Sequence, residues 1–142
     1  MKYVFASMAE NHLDLEFFFE VKTNLQREQL AMLAKGGLTR VQPGIESLST
    51  ALLTKLRKGS PAIENVHFMK GCLYYGIKIS WNLLCGIPGE TSNDFDKQLD
   101  LFKEIPHLKP PSGLTPIWLE RYSHMFNKPG EFDLHDVRSE AS

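Results

Sequence analysis

The sequence predicts an α/β fold, a partial (β/α) TIM-like barrel of about four parallel strands with outer helices. Three observations carry this expectation. β-Prone apolar runs alternate with helical stripes along the chain, an order that calls for parallel strands joined by crossovers. The run from Ile77 to Cys85 alternates and then becomes almost continuously apolar, as expected of a buried strand. Polar residues gather at the ends of these runs, where parallel α/β folds carry their ligand sites. Four strands with helices between them make about half of an eight-stranded barrel, or most of a small doubly wound sheet.

Taken in order, residues 1–13 read as the end of a helix, and Leu15 to Val21 as a strand covered on both faces. Asn24 is a good N-cap for a helix carrying Leu25, Leu30, Leu33 and Ala34, which Gly36 and Gly37 stop. A second strand spans Thr39 to Glu46. Pro43 belongs near its end or at a bulge, because proline cannot donate to a ladder. Ser47 or Ser49 caps the next helix, with Leu48, Leu52, Leu53 and Leu56 on one side and Gly59 as terminator. Ser60-Pro61 opens another helix, cap first and proline second, whose apolar face is Ile63, Val66, Met69 and Leu73. Gly76 ends it, and the Ile77–Cys85 strand follows.

That strand runs into Gly86-Ile-Pro-Gly89, a turn rich in residues that permit unusual backbone angles. Thr91 or Ser92 then caps a helix with Phe95, Leu99 and Phe102 recurring at i, i+4 and i+7. Pro106, Pro110 and Pro111 stiffen a loop before the last strand, Leu114 to Leu119. The domain is expected to span 1–127, with 128–142 a loose polar tail.

Composition bounds the function. In 142 residues, 42% hydrophobic and 23% charged content predict a globular domain with a real core. A formal net charge of −1 without a basic run argues against a nucleic-acid partner. No apolar run approaches a membrane span and the first residues do not form a signal peptide, so no membrane partner is expected. Cys72 and Cys85 lie in apolar surroundings and read as buried free thiols, which suits a reducing cytoplasm.

The candidate site residues sit at the strand ends, each with a structural alternative. Glu20 and Lys22 share one side of a strand and suit a ligand's amino and carboxylate groups, or pair with each other at the rim. Gln42, Glu46 and Ser47 suit ribose hydroxyls or an amino-acid moiety, or act as a helix cap and first-turn charge. Gly86 and Gly89 admit a flat ring, or serve a tight turn. Trp81 and Trp118 read as core. The five histidines show no metal-ligand spacing, and no Ser/His/Asp arrangement, phosphate loop or GxGxxG is present.

Val41-Gln-Pro-Gly-Ile-Glu-Ser-Leu48, followed by Gly86-Ile-Pro-Gly-Glu-Thr91, resembles the radical S-adenosylmethionine superfamily. Phe19 to Leu25, Arg57-Lys-Gly59, Ser80 to Leu84, His107 to Leu114 and Leu119 to Ser123 resemble its cobalamin-dependent branch, nearest the enzymes that modify ribosomally made peptides. The resemblance covers about residues 15–127. It implies a partial barrel serving S-adenosylmethionine, a [4Fe-4S] cluster and cobalamin. In the intact family, reductive cleavage yields a 5'-deoxyadenosyl radical, and the cobalamin branch commonly transfers a methyl group to a peptide substrate.

By matching motif, the resemblance makes Glu20, Lys22, Gln42, Glu46, Ser47, Asn82, Leu84, Gly86 and Pro88 cofactor-binding residues. Glu90 sits one place later than the family's usual strand-end glutamate. The family's CxxxCxxC, whose three thiolates hold the cluster, has no counterpart among these residues, so neither catalytic nor metal-ligating residues are assigned. The resemblance therefore implies the S-adenosylmethionine-binding half of a barrel, inactive alone, a piece of a larger protein or a truncated frame. The alternative is a binding or scaffold piece completed by a partner chain that carries the cluster and cobalamin domains. A phosphate-binding α/β fragment is disfavoured by the missing phosphate loop.

Overall fold

The computed structural model describes residues 7, 8, 10 and 16–138 of the chain. Strand β1 (Phe17–Val21) leads into helix α1 (Arg27–Lys35) and strand β2 (Leu38–Pro43). Helices α2 (Thr50–Lys55) and α3 (Ala62–Tyr74) follow, then the short strands β3 (Lys78–Ile79) and β4 (Asn82–Cys85). Helix α4 (Ser92–Glu104), strand β5 (Gly113–Pro116), the single turn α5 (His124–Asn127) and a 3-10 turn (Pro129–Phe132) complete the order. Ser7, Met8 and Glu10 are helical, and the rest of the helix expected over 1–13 lies outside the described residues.

Every strand pair is parallel. One sheet has the order β1-β2-β3 and the other pairs β4 with β5. The single strand expected over Ile77–Cys85 is thus divided. Ser80 N still donates to Val41 O at 3.0 Å on the β2 side, whereas Trp81 O accepts from Ser112 N at 2.7 Å on the β5 side. The handover falls where Trp81 turns into the core, only 2% exposed, with its indole N–H donating to Lys109 O at 3.0 Å. One parallel bridge, Glu46 to Leu83, joins the two sheets.

The helices cover one face of the sheet. Leu30, Leu33, Leu38, Val41, Phe68, Cys72 and Ile77 form one buried cluster; Ile45, Leu48, Val66, Met69, Trp81, Leu83 and Leu108 form a second. Helix α3 is wedged between them and needs a wider apolar face than the predicted stripe. Ile63 and Leu73 of that stripe are 55% and 58% exposed, and Asn65, Phe68 and Cys72 are buried instead. On α4, Leu99 points outward and Gln98 inward. Trp118, expected in the core, lies just past β5 and is 65% exposed.

Two cap assignments also shift. Thr23 and Asn24 form a turn, so α1 starts later, on a box in which Gln26 N bonds Gln29 Oε1 at 2.8 Å. Pro61 itself is the N-cap of α3, and Thr50 Oγ1 accepts from Ala62 N at 3.1 Å. Ser49 and Thr91 cap α2 and α4 as anticipated. Among the described residues no helix is long and apolar enough to cross a membrane.

Phe68 tests whether the first cluster is a tightly packed core. Phe68→Ala is expected to cost about 3–5 kcal/mol in urea unfolding, from lost burial plus the cavity left behind. A loss below about 1 kcal/mol would mean the site collapses without a cavity.

Candidate functional site

A cleft of about 580 Å³ opens beside the strands, walled by Gln42 at the end of β2 and Glu46 beyond it, Ser80 before β4, Asn82 and Leu84 on β4, and Thr115 to Trp118 at the end of β5 and past it. Its floor is the segment Gly44–Leu48, where the chain leaves β2. Ile45 N and Ser47 N close tight turns on Pro43 O and Ile45 O, at 2.9 and 2.6 Å. Glu46 is forced to φ 59°, a left-handed conformation uncommon for a residue with a side chain. Its carboxylate meets Lys58 Nζ at 2.5 Å, and both groups border the cleft.

Two buried amides hold this loop from outside. Asn65 on α3 donates its side-chain N–H groups to Ile45 O at 3.1 Å and Ser47 O at 3.0 Å. Gln98 on α4 accepts from Ser47 Oγ and Leu48 N, both at 2.8 Å. Each amide keeps one buried atom without a partner among the described residues: Oδ1 of Asn65 and Nε2 of Gln98. Leaving such atoms unpaired is costly, which marks both residues as held for the sake of the loop.

The turn after β4 is braced separately. Gly86 N and Ile87 N donate to the Glu90 carboxylate at 3.3 and 3.2 Å, and Lys55 Nζ bonds Gly89 O. Gly86 and Gly89 have φ of 75° and 74°, and a Cβ on Gly89 would meet Lys55 Nζ at 3.0 Å. Both glycines thus serve the turn. Glu90, one place off the family pattern, accepts the amides of that same turn.

A strap formed by α5 and the 3-10 turn closes the far side of the cleft through Ser123, His124, Met125 and Phe132. Arg57 fastens it. Its guanidinium pairs with Glu131 at 2.6 Å, lies over the Phe132 ring at 4.7 Å and contacts His124 Nε2. Lys128 adds a second cation to Glu131 at 2.9 Å. The tail expected to be loose from residue 128 therefore contains an ordered turn with a buried Phe132.

Of the residues expected to bind a cofactor, Gln42, Glu46, Asn82 and Leu84 come together in the cleft wall. Glu20 stands opposite Gln42 on β1, and Lys22 lies just past the strand; neither reaches the wall. Ser47 is wholly buried, its hydroxyl committed to Gln98 and Ser49, while Gly86 and Pro88 lie in the braced turn outside the wall. Lys58, Asn65 and Gln98 were missed. A polar residue on an otherwise apolar helix face was the available signal for Asn65. Cys72 is buried, which pushes its thiol up to about 12, and Cys85 is free. No group of three or more His, Cys, Asp or Glu suited to a metal occurs among the described residues.

No family model matches the chain. A stretch of 78 residues, 55% of the chain, is 30% identical to the tRNA uridine(34) acetyltransferase of Methanocaldococcus infernus and covers 14% of that protein. Among solved structures, the chain is similar to the radical S-adenosylmethionine methyltransferase TsrM from Kitasatospora setae, solved with a tryptophan substrate and an S-adenosylmethionine analogue. That match has a TM-score of 0.66 at 20% identity, covering 79% of this chain and 23% of TsrM. A second TsrM structure holds cobalamin and a [4Fe-4S] cluster. Elp3 from Methanocaldococcus infernus matches with a TM-score of 0.68 at 20% identity, covering 83% of this chain and 29% of Elp3. At these identities the likeness establishes a shared α/β fold, and the chain spans less than a third of each of these proteins.

The clasp has a defined pH signature. Lys128 and Arg57 hold the Glu131 carboxyl well below its usual 4.5, at about 2. A depressed acid contributes fully above its unfolded value and loses that contribution as pH falls through its folded value. The strap is therefore expected to loosen between about pH 4.5 and 2, read as faster amide exchange at Leu134, whose N–H bonds Pro129 O. Glu131→Gln should remove the pH dependence in that window; an unchanged profile would discount the clasp.

Proposed function

We propose that the chain is the S-adenosylmethionine-binding portion of a radical S-adenosylmethionine barrel that modifies a ribosomally made peptide. The observation that carries the reading is the convergence of Gln42, Glu46, Asn82 and Leu84 on one cleft. The fit is chemical as well as spatial. Glu46 and Lys58 offer opposite charges to an aminocarboxylate, Gln42 and Asn82 offer amides to ribose hydroxyls, and Leu84 with Trp118 offers apolar surface to an adenine ring. When bound, S-adenosylmethionine would supply the reacting group of such an enzyme.

The protein's own part is binding and orientation. The clamped loop fixes the backbone that carries Glu46, so its carboxylate stays beside the cleft while a ligand ammonium takes the place of Lys58. Lys58 is released toward a ligand carboxylate as that pair opens. The strap narrows the cleft and limits water.

The iron-sulfur cluster does not fit these residues. The sequence contains two cysteines, Cys72 with a buried, strongly protonated thiol and Cys85 apart from the cleft wall. Cluster ligands and any cobalamin would come from residues other than these, and the chain is read as inactive alone.

Calorimetric titration with S-adenosylhomocysteine, which shares the adenosyl and aminocarboxylate groups, tests the reading. Binding is expected, and Glu46→Gln and Asn82→Ala should each weaken it about tenfold, or about 1.4 kcal/mol. No heat at millimolar ligand, or variants that bind as well as the parent, would refute it. Anaerobic reconstitution with iron and sulfide should leave no cluster absorption; a stable band would contradict the reading of the cysteines.

A further inference from the structure

A second groove, of about 850 Å³, lies past the end of β5 and carries no established or proposed role. Trp118, Tyr122, Phe126 and Val137 line it, 65%, 84%, 39% and 46% exposed, with Arg121 and Arg138 as the charged residues of its lining. No carboxylate shares that lining, and Glu120 faces the other cleft. Neither arginine has an ion-pair partner among the described residues.

The backbone presents this surface at a cost. Tyr122 has φ 67° and is held there by Asn127, whose side-chain N–H donates to Tyr122 O at 3.1 Å. A left-handed conformation is costly for a non-glycine residue, and here it places an 84% exposed ring in the lining of the groove. The groove also adjoins the edge of β5 that faces away from β4 and pairs with no described strand. Aromatic rings, aliphatic walls and two unpaired guanidinium groups are the features that hold an extended chain with apolar side chains and carboxylates.

We propose that this groove binds an acidic, apolar segment of a partner polypeptide in extended form. The aromatic residues take its apolar side chains, and Arg121 and Arg138 pair with its carboxylates. The inference stands apart from S-adenosylmethionine binding, since it uses no residue assigned to the ligand there except Trp118 and its test contains no nucleoside.

The test is fluorescence anisotropy of labelled peptides with the full chain. One peptide alternates leucine and glutamate, a second replaces glutamate by lysine, and a third replaces leucine by serine. The acidic apolar peptide should bind with a Kd of about 10 μM, weaken with salt, and blue-shift the emission of exposed Trp118 while buried Trp81 stays constant. Arg121→Glu combined with Arg138→Glu should lower affinity at least about tenfold, with an unchanged circular dichroism spectrum. Equal binding of the lysine peptide, no binding of the acidic one, or indifference to the charge reversals would overturn the proposal. So would concentration-dependent self-association abolished by Trp118→Ala, because the occupant would then be a second copy.

Discussion

The structure depends on two buried amides reaching through the helical layer to one loop. Asn65 and Gln98 come from different helices, yet between them they engage Ile45, Ser47 and Leu48. Those bonds fix the backbone on both sides of Glu46, beside its own carbonyl bond from Leu84 N at 2.8 Å and its bridge to Leu83, while its side chain adds one half-exposed contact with Lys58. Half-exposed pairs of this kind contribute little. The clamp couples the packing of α3 and α4 to the position of a carboxylate in the cleft. It links the outer layer of the fold directly to the site.

The other elements around the cleft are braced by exposed charges. Glu90 ties the turn after β4, Lys55 reaches that turn from α2, and Arg57 fastens the strap. Such contacts are screened by salt and sensitive to pH, whereas the amide clamp is sheltered from both. The cleft therefore has a rigid floor and adjustable walls. That division suits a site that fixes one charged group and admits its ligand past a movable edge.

Much of the fold was legible. The alternation of strand and helix led to parallel pairing, Pro43 closed β2, and the first helix stopped at Gly36 and Gly37, the second of which takes φ 95°. Part of the cleft wall was legible too, because the strand-end motifs that the sequence offers include Gln42, Glu46, Asn82 and Leu84, which line it. The remainder was hidden for physical reasons. Periodicity favoured Leu99 over Gln98 and Ile63 over Asn65, since apolar spacing cannot register a buried amide whose partner is a loop 50 residues away for Gln98 and 18 to 20 for Asn65. The break at Ser80–Trp81 arises from a change of hydrogen-bonding neighbour that the chain's own composition does not mark. The strap escaped notice because a polar segment from residue 128 reads as loose until Phe132 finds Arg57.

A double-mutant cycle between Glu46→Gly and Asn65→Ala, followed by urea unfolding, tests the clamp most directly. With Asn65 present, Glu46→Gly should leave stability within about 0.5 kcal/mol of the parent, because relief of left-handed strain offsets the added backbone entropy of glycine. With Asn65 removed, the loop relaxes on its own, and the same substitution should cost about 1 kcal/mol more. Additive effects would contradict the account, for they would mean that Asn65 does not hold Glu46 in its strained conformation.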